Sequence, residues 1–250
     1  MSVEDLSGTT AIVTGASRGF GRSVATALTA IGATVVGFAR DTSHLAEVKS
    51  ELGESFIPVA GDAADPVMAG QLIDRFRPRV LVLNAGATPL TRPIQQHTWE
   101  TFSRNWDVDV KHVFHWAREA LLAPLEPGSV VVSLSSGAAL KGSPVSGGYA
   151  GAKATIRFIS SYAAEESERL GLGIRFASVL PPLTPGTEKG TVGVSGYAKR
   201  QGVDVKTFIE RMGTTPGPDQ VGKLIVELVT DSFYGPQAYV INSAGLSHAP

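Results

Sequence analysis

The chain has 250 residues, of which 43% are hydrophobic and 18% charged, and its formal net charge is −1. This length is sufficient for one α/β domain with a sizeable core, and the near-neutral charge argues against binding to nucleic acid or to an anionic membrane. The chain contains no cysteine, which excludes disulfides, thiolate metal ligands and cysteine nucleophiles. Residues 1–7 lack the apolar run of a signal peptide, and no stretch approaches the about 20 consecutive apolar residues of a membrane-spanning helix, so we expect a cytoplasmic protein.

Apolar runs that are typical of strands alternate along the chain with longer segments of helical spacing. Strands are predicted at residues 9–14, 34–39, 56–59, 80–83, 129–134, 173–179 and 237–241. Helices are predicted at residues 21–31, 43–52, 66–76, 97–122, 148–170 and 218–230. Strand–helix alternation with short connections favours parallel strands joined by right-handed crossovers. We therefore predict an α/β fold in which residues 1–250 form a single domain, with a doubly wound parallel sheet of about seven strands and helices on both faces.

The segment 181–218 is the one long stretch without a clear pattern, and it is rich in Gly, Pro and Thr. Irregular segments of this length inside a compact domain are usually functional or mobile. We interpret it as a substrate-binding loop rather than a linker between domains. Lys189, Lys199 and Arg200 give it a basic character. This could attract an acidic substrate or an acyl carrier, although solvated side chains on a loop are the simpler interpretation.

The first predicted strand leads directly into a glycine loop, Thr14-Gly15-Ala16-Ser17-Arg18-Gly19-Phe20-Gly21, which precedes a helix. Glycines at these spacings permit a tight turn and let the backbone approach a pyrophosphate, while the helix N-terminus offers free N–H groups to the anion. A glycine pattern alone also fits a simple turn between a strand and a helix. Its position after the first strand of an alternating chain favours a dinucleotide-binding loop.

The end of the second predicted strand indicates which dinucleotide binds. A carboxylate at this point would hold the ribose 2′-hydroxyl, whereas an arginine accommodates a 2′-phosphate. Here Ala39 stands where the acid would be and Arg40 follows, with Arg18 of the glycine loop on the same side. Asp41 is interpreted as the start of the next helix. The two arginines favour NADP(H) over NAD(H), although Arg40 alone could be a solvated charge at a strand end.

Tyr149 and Lys153 are four residues apart in the predicted helix 148–170, so their side chains lie on one helical face. A lysine ammonium near a tyrosine hydroxyl favours the phenolate, which makes tyrosine a usable general acid or base for a carbonyl/alcohol pair. The spacing alone is common in helices. Ser136, however, follows a predicted strand at the carboxyl edge of the sheet, where open α/β sheets bind ligands. It could hydrogen-bond the substrate oxygen beside Tyr149.

Together these motifs resemble those of the short-chain dehydrogenase/reductase family over nearly the whole length of the chain. The matching features are residues 14–21, Asp62, Leu83-Asn84-Ala85-Gly86, Ser136, Tyr149 and Lys153. The resemblance implies a Rossmann-type fold in which the tyrosine exchanges a proton with the substrate oxygen, the serine orients that oxygen, and the lysine assists the tyrosine and holds the nicotinamide ribose. It also implies a set of cofactor-binding residues: Gly15, Ser17, Arg18, Gly19, Phe20, Gly21, Arg40, Asp62, Ala63, Asn84, Ala85, Gly86, Tyr149, Lys153, Pro181, Leu183 and Thr184.

Two positions near the implied site depart from the family pattern. Asp109 stands where the family has an asparagine whose main-chain carbonyl holds a water in the proton path to the lysine. Asp109 remains a candidate catalytic residue, because that main-chain role could survive the change. Its carboxylate near Lys153 could either stabilise the ammonium or compete with the ribose contact. Pro181-Pro182 replaces the usual Pro-Gly, and since Pro182 lacks an N–H, the nicotinamide pocket could differ in shape.

Three histidines suggest a metal site at first sight, because His112 and His115 are one helical turn apart and His97 lies in the same predicted helix. No carboxylate stands at a suitable third spacing, so we expect no metal.

The sequence thus predicts an NADP(H)-dependent oxidoreductase that interconverts a small-molecule carbonyl and a secondary alcohol, with reduction as the favoured direction. The alternative from another class is a non-catalytic NADP(H)-binding regulator or scaffold on the same fold. Asp109 and Pro182 favour this alternative, whereas the set of Ser136, Tyr149 and Lys153 opposes it. The family resemblance also implies a homodimer or homotetramer, and neither nucleic acid nor a membrane is expected as a partner.

Overall fold

The computed structural model describes residues 6–250. Its strands are β1 Thr10–Thr14, β2 Thr34–Ala39, β3 Phe56–Ala60, β4 Val80–Leu83, β5 Val130–Leu134, β6 Arg175–Leu180, β7 Ala238–Asn242 and β8 Gly245–His248. Its α-helices are α1 Gly19–Ala30, α2 Thr42–Leu52, α3 Pro66–Phe76, α4 Trp99–Asn105, α5 Lys111–Leu122, α6 Ala138–Lys141, α7 Gly147–Arg169, α8 Glu188–Gln201, α9 Val205–Met212 and α10 Pro218–Thr230. A π-helical turn, Trp106–Val110, joins α4 to α5.

All strands described within residues 6–250 belong to one sheet, in the order β3-β2-β1-β4-β5-β6-β7-β8. Strands β1 to β7 are parallel, and β8 pairs with β7 in the antiparallel direction. This confirms the predicted doubly wound α/β sheet and adds an edge strand that the sequence analysis did not predict. The strand order reverses between β1 and β4, and open sheets of this kind bind ligands at the carboxyl ends of the strands on either side of such a reversal.

The sheet is covered on both faces because its central strands are apolar on both faces. In β1, Ala11 and Val13 belong to the core layer that contains α1, α2 and α10, whereas Ile12 belongs to the layer that contains α3, α5 and α7. All four residues of β4 are buried, as the continuous apolar run predicts for a strand with two covered faces. The core therefore consists of two apolar layers, one on each side of the sheet.

Side-chain caps fix the beginnings of several helices. The Asp41 carboxylate accepts a hydrogen bond from the His44 amide at 3.0 Å, which confirms that Asp41 starts α2. Asp65 accepts from the Val67 amide at 2.9 Å, and Pro66 occupies the first turn of α3. Such caps satisfy amides that have no partner within the helix.

The prediction of a single helix at residues 97–122 is wrong, because the structure has two α-helices there. Thr98 caps α4 through the Thr101 amide, so the helix begins at Trp99. The π turn then divides the segment into α4 and α5. Apolar periodicity does not reveal such a turn, because it adds only one residue to the helical repeat.

The prediction of a long irregular segment at residues 181–218 is also wrong, since α8 and α9 lie within it. The glycines of α8 led to the prediction of an irregular segment, because glycine has low helix propensity. The structure explains them by close packing. A Cβ on Gly193 would lie 2.7 Å from a Leu183 methyl group, and a Cβ on Gly196 would lie 2.7 Å from the Thr91 Cβ. Tertiary contact thus outweighs local propensity in α8.

No helix within residues 6–250 is both long enough and apolar enough to cross a membrane.

Candidate active site

A cavity of about 1110 Å³ opens at the carboxyl ends of the strands around the reversal between β1 and β4. Most of the predicted site residues line it: Gly15, Ser17, Arg18, Gly19, Phe20, Arg40, Asp62, Ala63, Asn84, Ala85, Gly86, Ser136, Tyr149, Lys153, Pro181, Leu183 and Thr184. Gly21 and Asp109 are not among the lining residues and lie behind the wall. The fold therefore brings together motifs that are far apart in the sequence.

The glycine loop is shaped by two close approaches of backbone to backbone. Gly15 has a φ of +66°, a region that side chains with a Cβ rarely adopt. A Cβ on Gly21 would overlap the Gly15 carbonyl oxygen. The loop is thus closely packed, and its residues Gly15, Ser17 and Gly19 line the cavity next to the start of α1, where a helix offers free amides.

Thr14 and Asn84 tie the glycine loop to the end of β4. The Thr14 hydroxyl donates to the Val82 carbonyl at 3.2 Å and accepts from the Asn84 amide at 2.9 Å. The Asn84 side-chain amide donates to the carbonyls of Thr14 and Gly15, at 2.9 and 3.1 Å. Asn84 therefore positions the loop, although it also lines the cavity as predicted.

Two arginines line the cavity, Arg18 in the glycine loop and Arg40 just after β2. Arg18 forms an exposed ion pair with Glu188 at the start of α8. Arg40 is exposed, and its guanidinium makes no hydrogen bond or ion pair with a residue in 6–250. The Arg40 guanidinium is free, and the exposed pair of Arg18 with Glu188 is weak, so both guanidinium groups can turn towards an anion.

Lys153 is buried, and three groups fix its ammonium. Its Nζ donates to the Leu134 carbonyl at 2.9 Å and lies 3.2 Å from Asp109 Oδ2. The same nitrogen is 5.6 Å from the centre of the Tyr149 ring. At the backbone, the Ser135 hydroxyl donates to the Lys153 carbonyl at 2.7 Å and so holds α7 against the end of β5. The predicted helical face is thus formed, and it faces the cavity.

Asp109 is fully buried and reaches Lys153 from the π turn. Its Oδ1 accepts from the Ala87 amide at 2.7 Å, and Asn105 donates to the Ala87 carbonyl at 3.0 Å. A Cβ on Gly86 would lie 2.6 Å from Asp109 Oδ2, so the glycine gives the carboxylate room. The geometry corresponds to stabilisation of the ammonium, one of the two effects considered from the sequence. Asp109 lies behind the cavity wall, in contact with Lys153.

His112 lies one turn beyond Asp109 and is also fully buried. Burial lowers the pKa of His112 to about 3, because the charged form loses its hydration, and the nearby Asp109 charge offsets only part of this effect. The ring is therefore neutral at neutral pH. Among residues 6–250, no group of three or more His, Asp or Glu side chains has the arrangement of a metal site.

Ser136 lies at the mouth of the cavity with Tyr149, and its hydroxyl accepts a hydrogen bond from the Ala138 amide at 3.2 Å. The Gly137 amide donates to the Pro181 carbonyl at 2.9 Å, so the serine segment is attached to the beginning of segment 181–218. The Thr184 hydroxyl donates to the Pro216 carbonyl at 3.3 Å, so the end of this segment is attached to its beginning.

Helix α8 lines the cavity, within the segment 181–218 that was predicted to bind substrate as a loop rather than as a helix. The Tyr197 hydroxyl and the Ser143 hydroxyl share a hydrogen bond of 2.6 Å, and the Tyr197 ring stacks on Phe208 of α9 at 6.0 Å. Asn105, Tyr197 and Ser143 are structural contributors that sequence reasoning missed, because each acts through a contact that is distant in the chain. Thr14 could have been found, since it begins the glycine motif.

Comparison with known proteins gives consistent results. The chain matches the short chain dehydrogenase family over residues 9–191. It is similar to an uncharacterized oxidoreductase of Methylorubrum extorquens, with 30% identity over 96% of this chain and 98% of the relative. A probable NADP-dependent dehydrogenase of Haemophilus influenzae is 30% identical over 77% of this chain and 78% of the relative. Among solved structures, a short chain dehydrogenase of Burkholderia cenocepacia in complex with NADP has a TM-score of 0.80 and 25% identity, covering 96% of this chain and 98% of that chain.

Proposed function

The chain belongs to the short-chain dehydrogenase/reductase family of oxidoreductases, and we propose that it interconverts a carbonyl and a secondary alcohol with NADP(H), using Tyr149 as general acid and base. One observation supports this more than any other. A single cavity contains the glycine loop, the Tyr149 hydroxyl, Ser136 and a lysine whose ammonium is fixed by a buried carboxylate. The substrate is a small molecule that fits beside Ser136 and Tyr149.

The residues of the cavity fit a phosphorylated dinucleotide. The glycine loop packs closely on the end of β4, where a Cβ on Gly15 would lie 2.8 Å from the Asn84 side-chain nitrogen, and Gly15 and Gly19 line the cavity. Arg40 follows β2 and lines the cavity, as does Arg18 of the glycine loop, and a 2′-phosphate needs a cation at this strand end. The NADP complex of the Burkholderia cenocepacia relative and the name of the Haemophilus influenzae relative support the same choice.

Bound NADPH supplies the hydride for reduction. Tyr149 donates its hydroxyl proton to the substrate oxygen as that oxygen becomes an alcohol, and it takes the proton back in the oxidative direction. Ser136 donates a hydrogen bond that orients the same oxygen. Lys153 holds its ammonium 5.6 Å from the centre of the Tyr149 ring, on the same face of α7.

Asp109 acts through Lys153. The carboxylate is too deeply buried to touch a substrate, and its contacts with Lys153 and the Ala87 amide hold the ammonium in place. A buried ion pair of this kind fixes geometry because removal of one partner leaves the other charge uncompensated.

The test is oxidation of NADPH and NADH by purified protein with a panel of ketones, aldehydes, diketones, 3-oxoacyl thioesters, quinones and steroids. We expect turnover with NADPH preferred. Tyr149→Phe should lower kcat by about 10²–10⁴-fold, the usual contribution of a general acid, and leave NADPH binding nearly unchanged.

Tyr162→Phe is the matched control, because it makes the same change at an exposed position of the same helix. It should retain full activity. Equal loss of turnover and of NADPH binding in Tyr149→Phe would contradict the role assigned to the tyrosine.

The alternative is an NADP(H)-binding regulator or scaffold without efficient catalysis. Pro182, which borders the cavity and has no N–H to offer a cofactor, is the observation that favours it. Tight NADPH binding without turnover on every carbonyl of the panel would support this alternative.

We also propose that the protein is a homodimer or homotetramer. Helices α5 and α7 expose apolar rings, of which Phe158 and Tyr162 stack on each other at 6.2 Å and are more than half exposed. Exposed apolar surface of this kind is typical of an interface between protein chains.

A further inference from the structure

Lys189 is a cavity residue that neither the glycine loop nor the catalytic cluster accounts for. It lies in the first turn of α8, and its side chain lines the cavity together with Arg18 and Lys153. Its ammonium makes no hydrogen bond or ion pair within the described range 6–250, unlike that of Lys153. The interpretation of Lys189 as a solvated loop residue is therefore wrong, because it belongs to a helix and is mostly covered by the protein.

The surroundings of Lys189 disfavour its positive charge. Burial lowers the pKa of Lys189 to about 8, and the charges of Lys153 and Arg18 act in the same direction. The charges of Asp109 and Glu188 act against this and only partly offset it. An unpaired ammonium held near two other cations attracts an anion that can bridge them.

The position of this anion follows from the two cations that act on Lys189. Lys153 lies beside Tyr149, and Arg18 belongs to the glycine loop and pairs with Glu188 at the start of α8. The first turn of α8 also covers the glycine loop, because Glu188 pairs with Arg18 and a Cβ on Gly19 would lie 3.9 Å from a Thr187 methyl group. A dinucleotide that extends from one end of the cavity to the other has its diphosphate in the space between these groups.

We propose that Lys189 binds the diphosphate of the dinucleotide from the α8 side of the cavity, opposite the glycine loop. This inference rests on the proposed function, since it requires that the protein bind NADP(H). The ammonium then forms a charge-assisted contact with phosphate oxygens, and α8 is held over the bound cofactor. A carboxylate on the substrate is the competing source of anionic oxygens, and it differs in that only substrate affinity would depend on Lys189.

The experiment measures the Kd of NADPH and of NADH by isothermal titration calorimetry for wild type and Lys189→Gln. The diphosphate is common to both dinucleotides, so the substitution should weaken both to a similar extent, by about tenfold or more. Lys199→Gln changes an exposed lysine of the same helix and should leave both values unchanged. Arg40→Gln should weaken NADPH more than NADH, which distinguishes the 2′-phosphate contact from the diphosphate contact.

Proton uptake gives a second readout that does not depend on activity. The charged or titratable groups near Lys189 are Asp109 of the π turn, His112 of α5, Lys153 of α7, Arg18 of the glycine loop and Glu188 of α8. Bound phosphate raises the pKa of the ammonium above its value of about 8 in the free protein. Between about pH 8 and 9, wild type should therefore take up protons on binding NADPH, whereas Lys189→Gln should take up fewer. Titration in buffers of different ionisation enthalpy measures this difference.

Unchanged Kd values for both dinucleotides in Lys189→Gln would overturn the inference while leaving the proposed function intact. If Lys189→Gln loses affinity only for carboxylate-bearing substrates of the panel, the inference is likewise overturned and the proposed function remains intact. Wild-type protein that binds neither dinucleotide would overturn the proposed function itself, and the inference with it.

Discussion

Asp109, His112 and Lys153 are buried together at the base of the cavity, and each is accommodated differently. Asp109 and Lys153 compensate each other as an ion pair, with further hydrogen bonds from Ala87 and to Leu134. His112 has no oppositely charged partner in direct contact and is buried in its neutral form. Removing one member of a buried ion pair costs about 3–5 kcal/mol, because the other charge is left unpaired. The pair therefore fixes the geometry of the site, and a substitution that removes only one of its partners should destabilise the fold.

His112 makes stability dependent on pH on the acidic side. Its pKa is about 3 in the folded protein and about 6.5 in the unfolded chain, so the unfolded chain binds one more proton between these values. The free energy of unfolding should fall as pH decreases below about 6.5, by about 2–3 kcal/mol from this group at pH 4.5. Urea denaturation at several pH values, compared between wild type and His112→Leu, measures this contribution.

The free energy of unfolding of His112→Leu should fall less than that of wild type over the same interval of pH. His248→Leu, which alters an exposed histidine, should retain the wild-type pH dependence. An identical slope in wild type and His112→Leu would show that His112 does not titrate as its burial requires.

At the scale of elements, helix α8 completes the cavity wall. The Thr187 hydroxyl caps it by accepting from the Gly190 amide at 3.0 Å, and Gly202, at a φ of +67°, ends it. Its glycines allow contact with the segments that contain Leu183 and Thr91. The Tyr197–Ser143 hydrogen bond then attaches the helix to the loop before α7. Helix α8 also shares a small apolar cluster with α9, through Val194, Ala198 and Phe208, so we expect the two helices to open together when ligands enter.

The Tyr197–Ser143 hydrogen bond should therefore control the opening of α8. Tyr197→Phe and Ser143→Ala each remove a hydrogen bond worth about 0.5–1.5 kcal/mol. Amide hydrogen exchange in α8, measured by mass spectrometry, should become about 2- to 10-fold faster in either variant. The double variant should exchange no faster than Ser143→Ala alone, because Ser143→Ala already removes the bond to Tyr197 together with two hydrogen bonds between Ser143 and Ser146. Additive effects would mean that the two hydroxyls act independently.

At the scale of the whole molecule, two apolar layers cover the sheet, and a further apolar surface remains on the outside of α5 and α7. Phe114 of α5 is 49% exposed, and Phe158 and Tyr162 of α7 are 57% and 60% exposed. These rings are not needed for the core, which is already filled by the inward faces of the same helices. An interface between copies of the chain would remove them from water.

This surface should determine the oligomeric state. Phe158→Glu combined with Tyr162→Glu places two negative charges there and should convert the oligomer to a monomer with unchanged circular dichroism. Sedimentation equilibrium measures the mass of both forms. Val67→Glu is the control, because Val67 is 59% exposed on α3, a helix that carries none of these rings. A wild-type protein that sediments as a monomer would contradict the proposed oligomer.

The fold class and the principal motifs could be predicted from the sequence because they depend on local patterns. The apolar run of β4 indicates a strand with two covered faces, the glycines of the loop before α1 indicate a tight turn, and the spacing of Tyr149 and Lys153 indicates one helical face. These signals need no knowledge of distant residues. The helix starts at Asp41 and Asp65 are local in the same sense, because a cap contacts an amide only two or three residues away.

Only the tertiary structure decided the features that depend on contacts between distant segments. In the sequence the glycines of α8 indicate a loop, and only their packing partners explain why this segment is a helix. The π turn gives no periodic signal, yet it brings Asp109 within 3.2 Å of Lys153. The sequence indicates that Lys189 is a solvated residue. In the structure it lines the cavity, because α8 lies over the glycine loop. The sequence therefore determined which chemical groups are available, and the long-range packing decided which of them meet.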